Sequence, residues 1–438
     1  MAPDSRPNQD GLAWKETLFD LVPQWTRDPP IAAIESLCRR RLGIAAADPC
    51  VVTFAASGLF NKLYTVESRG TTYMMRVSLP VYPRHKTRAE VAKLRWVRDN
   101  TSIPVPQVYD FDDSNDNEMG FEWILMEFMG GRPAHERWGA MTMEQKVVFA
   151  QRIATFQAEL SGRGKAESPF KRIGTLTLDR PANKQQKDAA AGQPIAVGRL
   201  VAPEFFMGDN LFYNVPRGPF DSSHDWLAAQ LNIILIHQTA ILNKTDDEDE
   251  QEDAENALSV ARKLLSLVPK VFPPSPDVAE TTGLYHHDLH LNNILVSDQG
   301  EITAVLDWEC VSALPLWMAT RPPKFLDEPV REEEPLAEDY VDNTPQESAA
   351  DAQKGGASGQ EKDELYYIHR MEWEATQLRK VYEARLKELW PGWPLGESNA
   401  EVDFFQAVSL CDGPWAKRVG RWVDRLERGE AIRIDDTA

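Results

Sequence analysis

The feature that most constrains this chain is an Asp followed five residues later by an Asn and then by two apolar runs that end in a second Asp. Asp288 and Asn293 are the first two of these residues, and the apolar runs lie within 294–306. The runs flank an Asp-Gln-Gly turn signal, so they predict a β-hairpin. Such a hairpin would hold Asn293 at its entrance and Asp307 at its exit. The sequence therefore predicts three oxygen-bearing side chains in one small volume.

Two carboxylates and an amide in this arrangement suit phosphoryl transfer from a nucleotide. The block resembles the catalytic segment of the aminoglycoside phosphotransferase and choline-kinase-like enzymes, which are relatives of the protein kinases. Their pattern is His-x-Asp-x-x-x-x-Asn followed by a strand that ends in Asp, and His286, Asp288, Asn293 and Asp307 match it. The resemblance implies that Asp288 is the catalytic base, that Asn293 and Asp307 bind Mg²⁺, and that His286 has a structural role.

Two other interpretations of the block are weaker. A dinuclear zinc site is suggested by the His-His-Asp-x-His order, but such sites need further His ligands downstream. His369 is the single His after His290 in the sequence. A hairpin with incidental acidic residues leaves the spacing of Asp288 and Asn293 unexplained. The order Asp-Trp-Glu that begins at Asp307 favours the small-molecule branch over the protein kinases, whose order is Asp-Phe-Gly.

The composition excludes several classes of protein. The sequence contains no run of 18 apolar residues, so it predicts no membrane span. The first residues lack the pattern of a secretory or transit peptide. The four Cys are scattered without disulfide or metal spacing, which favours a cytoplasmic location. The net charge of −20 is concentrated in two segments, 246–255 and 327–364, so the remaining body is nearly neutral. This distribution argues against a nucleic-acid partner.

A glycine-containing turn between the first two predicted strands of the small lobe is a candidate phosphate-binding loop. Apolar runs at 51–55 and 63–67 predict the strands, and Ser57, Gly58 and Asn61 lie between them. Backbone N–H groups in such a turn cover nucleotide phosphates in kinase-like folds. The chain lacks the full Gly-x-Gly-x-x-Gly pattern, and an ordinary hairpin would carry the same residues.

Arg76 and Glu90 are predicted to form a buried ion pair. Arg76 lies in a predicted strand at 72–79, and Glu90 shares an apolar helical stripe with Leu94 and Val97. A carboxylate on an apolar stripe needs a cation if it is buried. In the family the strand position is usually Lys, which pairs with a helix Glu and contacts the nucleotide phosphates. Arg76 is a departure, because its guanidinium is longer and planar. A surface Arg and a surface Glu would give the same sequence pattern.

A strand is predicted over 121–128, and it ends at a Gly pair. A strand that stops in this way resembles the one that leads into the hinge between the two lobes of a kinase. The resemblance implies that backbone groups of Glu127, Phe128 and Met129 hold the adenine ring. An ordinary strand and turn would give the same pattern. The sequence after Asp307 and the extended N-terminal region resemble a large fungal group within the superfamily.

We predict a bilobal α+β protein-kinase-like fold, with a small antiparallel-sheet N-lobe and a larger, mainly helical C-lobe. Within the N-terminal region, Trp14, Leu18, Leu21 and Trp25 fall on one helical stripe. The predicted regions are a helical extension over 1–47, the N-lobe over 48–128, the C-lobe over 129–438, the catalytic segment 285–309, a disordered acidic insertion over 327–362, and helices at 143–161, 224–237, 256–268 and 363–389.

The predicted activity is an ATP- and Mg²⁺-dependent transfer of the γ-phosphate to a hydroxyl of a small molecule. The sequence does not specify the acceptor. The alternative is a kinase-like protein that binds a nucleotide or a partner and catalyses nothing. Arg76 and the incomplete glycine-rich loop motivate this alternative, and the presence of Asp288, Asn293 and Asp307 weighs against it.

Overall fold

The N-lobe contains a five-stranded antiparallel sheet. The computed structural model describes residues 9–17, 21–163, 170–178, 194–273, 280–340, 356–393, 399–430 and 432–437. The strand order is β3-β4-β5-β7-β6. The strands are β3 (Val51–Ser57), β4 (Asn61–Ser68), β5 (Thr71–Ser78), β6 (Val108–Asp112) and β7 (Glu122–Glu127). Strand β7, which lies between β5 and β6, is apolar between its terminal Glu residues and almost fully buried. Helix α2 (His85–Asn100) lies against the sheet with Glu90 on its buried side.

The N-terminal extension is a hairpin followed by one helix, so the prediction of helix through residues 11–25 is wrong. Strands β1 (Leu12–Glu16) and β2 (Leu21–Trp25) pair antiparallel, and helix α1 spans Ile31–Leu42. Pro23 lies inside β2, where it would interrupt a helix but is tolerated in a two-stranded sheet. The Trp25 ring contacts Phe121, with the ring centroids 5.0 Å apart. Leu18, which completed the predicted stripe, lies outside the described residues.

The C-lobe is mainly helical and has small sheets at its border with the N-lobe. The predicted helices at 143–161 and 224–237 are confirmed as α4 (Met143–Leu160) and α6 (Ser223–Leu242). The remaining elements, in chain order, are β8 (Arg132–Pro133), α3 (Ala134–Arg137), β9 (Thr175–Leu178), β10 (Ile195–Gly198), α5 (Pro203–Phe206), α7 (Glu248–Val271), β11 (Thr282–Tyr285), β12 (Ile294–Val296), β13 (Ile302–Val305), β14 (Ser312–Pro315), α8 (Leu316–Ala319), α9 (Gly356–Leu389), α10 (Asn399–Leu410) and α11 (Ala416–Glu427). No helix in the described ranges is long and apolar enough to span a bilayer.

Parts of both acidic segments are ordered. The run at 246–255 forms the first turns of α7, and the Asp247 carboxylate accepts hydrogen bonds from the N–H groups of Asp249 and Glu250. Acidic residues at a helix N-terminus complement the helix dipole, which favours helix here. In the second segment, Arg331 binds Glu372 of α9 at 2.9 Å, so the prediction of disorder is wrong for 327–340. Residues 341–355 lie outside the described residues.

The hairpin predicted around the Asp-Gln-Gly turn is confirmed as β12 and β13. The two strands pair antiparallel, with Ile294 opposite Val305. Their inward side chains are buried in the core between α4 and the N-lobe. The hairpin therefore places Asn293 and Asp307 at the same end, facing the sheet of the N-lobe.

Candidate active site

A cleft of about 550 Å³ lies between the N-lobe sheet and the catalytic segment. It contains every predicted site residue except Ser57, which lies on the exposed strand β3 outside the lining. The predicted residues that line the cleft are Gly58, Asn61, Arg76, Glu90, Glu127, Phe128, Met129, Asp288, Asn293 and Asp307. Residues up to about 250 positions apart in the sequence therefore meet in one volume.

Asp288 is held in place by neighbours on both carboxylate oxygens. Asn293 Nδ2 donates to the Asp288 carbonyl at 2.9 Å and to its Oδ2 at 3.1 Å, and Lys324 Nζ lies 2.9 Å from Oδ1. His290 Nε2 lies 3.3 Å from Oδ2. Partial burial raises the pKa of Asp288, but the hydrogen bond and charge of Lys324, followed by the two nearby His, outweigh it. The pKa is therefore below its ordinary value, and the group is an ionised carboxylate near neutral pH.

The buried side chain of His286 connects the loop that carries Asp288 to the end of strand β13. Its Nε2 donates to the carbonyl of Leu306 at 2.9 Å, which joins the residues before Asp288 to the residue before Asp307. Burial lowers the pKa of His286 to about 4, so the ring is neutral at physiological pH. The ring also packs edge-on against Trp308, with centroids 5.1 Å apart. The hydrogen bond to Leu306 and the contact with Trp308 tie the buried ring to the residues on either side of Asp307.

Asp307 has a backbone conformation that few residues adopt. Its φ is +61°, in the left-handed region, and such strain in a non-glycine residue often marks a functional site. The next residue, Trp308, is buried and its Nε1 donates to the carbonyl of Val305 at 2.9 Å. This anchor holds the turn that directs the Asp307 carboxylate into the cleft, 3.6 Å from Arg76 Nη2.

Arg76 and Glu90 form the predicted ion pair, with Arg76 Nε 3.2 Å from Glu90 Oε1. Only about 2% of the Glu90 side chain is exposed. Burial lowers the pKa of Arg76, but the charges of Glu90, Glu309 and Asp307 more than offset this, and the pKa lies above its usual range. Arg76 therefore carries a permanent charge among three carboxylates.

Sequence reasoning missed Glu309 and three lysines. Glu309 Oε2 lies 2.6 Å from Lys86 Nζ. The Lys93 Nζ donates to the Glu309 carbonyl at 2.7 Å, and Lys324 reaches Asp288 from the C-lobe. One signal was present: Lys86, Glu90 and Lys93 are spaced i, i+4, i+7, which places them on one face of α2. Burial raises the pKa of Glu309, but Lys86 and Arg76 outweigh it and lower the pKa to about 2.

The turn between β3 and β4 and the end of β7 border opposite parts of the cleft. Gly58 N donates to the Asn61 carbonyl at 2.9 Å, which closes the turn. At the other end, Glu127 N donates to the Gln107 carbonyl at 2.8 Å, and Thr303 Oγ1 donates to the Gly130 carbonyl at 2.7 Å. The segment that leaves β7 is thereby fixed against both lobes.

A second cavity of about 370 Å³ lies in the C-lobe, and its lining includes His287 and Lys324, which adjoin Asp288 without Asp288 itself lining the cavity. It shares Pro203, His287 and Cys310 with the first cleft. Aromatic rings of Trp226 and Phe405 line it. A molecule in this cavity would lie next to the catalytic segment without entering the cleft under the N-lobe sheet.

The donor set in the first cleft suits Mg²⁺ better than zinc. In the described part of the chain, no group of three or more His, Cys, Asp and Glu lies close enough to hold a metal ion. Mg²⁺ usually takes one or two protein carboxylates and completes its shell with water and phosphate oxygens. Asp307 offers a carboxylate, and Asn293 Oδ1 accepts no hydrogen bond from a described residue. These two oxygen donors fit that requirement.

Comparison with known proteins identifies the family. The sequence profile of the phosphotransferase enzyme family matches residues 51–318, so the chain belongs to that family. The chain is 24% identical over 313 residues to a subtelomeric hrmA-associated cluster protein of Aspergillus fumigatus, covering 62% of this chain and 59% of that protein. It is 24% identical over 294 residues to the altered inheritance of mitochondria protein 9 of Yarrowia lipolytica, covering 60% and 50%. The chain thus matches only about half to three-fifths of the length of these relatives.

Solved structures of similar proteins are more distant. Aminoglycoside phosphotransferase APH(4)-Ia in its apo form aligns with 90% of this chain and all of its own, at 14% identity and a TM-score of 0.40. The streptomycin-ATP complex of APH(2″)-IIa aligns with 93% of this chain and 99% of its own, at 12% identity and a TM-score of 0.41. The chain thus has a protein-kinase-like α+β fold with two lobes and belongs to the phosphotransferase enzyme family.

Proposed function

We propose that this protein transfers the γ-phosphate of ATP, in the presence of Mg²⁺, to a hydroxyl group of a small molecule. The observation that carries the proposal is that one cleft contains Asp288, Asn293 and Asp307 together with the Arg76–Glu90 ion pair. These are the groups that phosphoryl transfer needs: a base, metal-binding oxygens and a cation for phosphate.

The proposal assigns each group a role. Asp288 accepts the proton of the acceptor hydroxyl and orients that oxygen, since its lowered pKa keeps it ionised. Asn293 and Asp307 would hold Mg²⁺, which when bound neutralises the charge on the phosphate oxygens. Arg76 binds phosphate from the N-lobe side. The turn at Gly58 covers the phosphates.

The adenine ring and the acceptor occupy opposite sides of the phosphates in this proposal. Backbone groups of Glu127, Phe128 and Met129, at the end of β7, hold the adenine. The second cavity takes the acceptor, because it is lined by His287, which precedes Asp288, and by Lys324, which contacts the Asp288 carboxylate. A cytoplasmic location belongs to the proposal as well, and it is supported by the four Cys, which are buried free thiols.

Phosphoryl transfer from γ-³²P-labelled ATP to a panel of hydroxyl-bearing metabolites tests the proposal. The wild-type protein should label at least one acceptor in a Mg²⁺-dependent manner. Asp288→Asn should lower the rate by about 10²- to 10⁴-fold while Mg·ATP still binds. If Asp288→Asn and Asp307→Ala leave the transfer intact, the assignment of the site is wrong.

A second candidate is a protein that binds the nucleotide without catalysis. The contacts of Arg76 favour it, because three carboxylates already surround the guanidinium: Glu90, Asp307 and Glu309. Under this alternative, Mg·ATP binds to the wild-type protein but no hydroxyl compound and no water accepts the phosphate. The same labelling experiment, combined with a binding measurement, separates the two candidates.

A further inference from the structure

We propose that Glu309 is a positioning residue of the nucleotide site, which aims the Arg76 guanidinium and the Asn61 end of the phosphate turn at the phosphates. The inference rests on the proposed nucleotide site. It adds a role for a residue that lies two positions after the metal-binding Asp307 and that belongs to the C-lobe, whereas the groups it positions belong to the N-lobe.

The carboxylate of Glu309 gathers three donors from three different elements. Its Oε2 accepts from Asn61 Nδ2 of β4 at 2.7 Å and from Arg76 Nη2 of β5 at 3.0 Å. Lys86 Nζ of α2 lies 2.6 Å from the same oxygen. About 13% of the Glu309 side chain is exposed. One C-lobe oxygen thus fixes the relative positions of two N-lobe strands and the helix beside them.

The orientation of the Asn61 side chain is fully determined by this network. Its Nδ2 faces Glu309, while its Oδ1 accepts from Ser78 Oγ and from Lys86 Nζ, both at 2.9 Å. The Asn61 carbonyl also closes the turn by accepting from Gly58 N. The end of the turn that borders the cleft is therefore tied to Glu309 through a single buried side chain.

The network also explains why an Arg at position 76 is useful. Its Nη2 donates to Glu309 Oε2 at 3.0 Å, and its Nε lies 3.2 Å from Glu90 Oε1 in an ion pair without a hydrogen bond. The remaining nitrogen, Nη1, makes no hydrogen bond to any described residue, and Arg76 lines the cleft. A lysine has one nitrogen and cannot contact both carboxylates in fixed directions while presenting another donor.

Lys86 offsets the negative charge that Glu309 brings to the site. Without Lys86, Arg76 would be the single cation among the described residues in contact with two carboxylates, Glu90 and Glu309. Lys86 is almost completely buried and contacts Glu309 directly, so its charge compensates that carboxylate. Loss of the Glu309 charge would release the guanidinium and the Asn61 side chain at once.

Calorimetric titration of the full-length protein with Mg·ATP and with adenosine tests this inference. Glu309→Gln keeps the size and one acceptor oxygen but removes the charge. We expect it to weaken Mg·ATP binding by about 10- to 100-fold, as for loss of charge-assisted hydrogen bonds, and to leave adenosine binding unchanged. Adenosine has no phosphate, so a general structural defect would affect both ligands. Glu159→Gln is the matched control, since Glu159 accepts two hydrogen bonds from Ser102 away from the cleft.

If Glu309→Gln does not fold, the double variant Lys86→Met/Glu309→Gln removes both buried charges together and should show the same selective loss. Arg76→Lys, with Glu309 intact, should also weaken Mg·ATP more than adenosine. Equal losses for both ligands, or no loss for either, would overturn the inference while leaving the proposed function in place. A wild-type protein that binds neither ligand would refute the proposed function, and the inference with it.

Discussion

Replacing Glu374 by Ala tests whether helix α9, which lies beyond the matched family segment, is an integral part of the C-lobe. Glu374 on α9 faces Lys146 on α4, with Lys146 Nζ 2.6 Å from Glu374 Oε2 and only about 5% of either side chain exposed. Trp138 Nε1 donates to the same oxygen at 3.2 Å, and Arg370 Nε lies 3.3 Å from the other. The carboxylate is therefore the centre of a buried network that joins two helices.

The expected magnitude follows from the burial of the pair. Glu374→Ala leaves Lys146 as an unpaired buried cation and Trp138 without an acceptor, so we expect the free energy of unfolding to fall by about 3–5 kcal/mol. The double variant Lys146→Met/Glu374→Met removes both charges and should recover most of that loss, because an apolar pair of similar size is often as stable as a buried ion pair.

Urea denaturation, followed by tryptophan fluorescence, measures both changes. Glu332→Ala is the control, because Glu332 pairs with Lys380 of the same helix at 2.6 Å but both side chains are more than half exposed. Such a pair contributes about 0–1 kcal/mol. A loss below about 1 kcal/mol for Glu374→Ala would refute the account of α9 as a packed part of the C-lobe.

Three further predictions concern charge and pH. Asp288→Asn should keep Mg·ATP affinity within about twofold in a binding titration while transfer is lost, since Asp288 acts on the acceptor; a parallel loss of affinity contradicts this. Lys324→Met should move the acidic limb of the kcat/KM profile to higher pH, because Lys324 lowers the pKa of Asp288; an unmoved limb contradicts it. Burial raises the pKa of Glu122 to about 7 in the folded protein. Between about pH 4.5 and 7, Glu122 is therefore protonated in the folded protein and ionised in the unfolded chain, so the free energy of unfolding falls as the pH rises through this range. Glu122→Gln should therefore gain about 3 kcal/mol over the wild type at pH 8 and nothing at pH 4 in urea denaturation, and an equal effect at both pH values would exclude the mechanism.

The parts of the fold that the sequence predicts are those governed by short-range patterns. The β12–β13 hairpin follows from two apolar runs around a turn signal, and α4 follows from its apolar period. The Arg76–Glu90 pair was predictable because a carboxylate on an apolar stripe requires a cation. In each case the cause lies within a few residues or in one simple rule about burial.

The parts that sequence reasoning missed depend on the tertiary structure. Apolar residues in 12–25 fit a helical stripe, but the segment forms a hairpin in which Trp25 packs against Phe121, a residue about 100 positions away. The acidic start of α7 is helical because Asp247 caps it, and a count of charges does not show this. No local sequence pattern predicts the contacts of Glu309, because its hydrogen-bond donors come from β4, β5 and α2.

Thermal unfolding with and without Mg·ATP, in the wild type and in Asp307→Ala, tests whether the cleft binds a nucleotide through Asp307. A ligand that binds only the folded state stabilises it by RT ln(1 + [L]/Kd), or about 4 kcal/mol at a thousandfold excess over Kd. Asp298→Ala, at an exposed position in the β12–β13 turn, is the matched control. If Asp307 binds Mg²⁺ at the nucleotide site, Mg²⁺ and ATP together should raise the Tm of the wild type and of Asp298→Ala but not that of Asp307→Ala. No rise in any of the three proteins, or an equal rise in all, would contradict it.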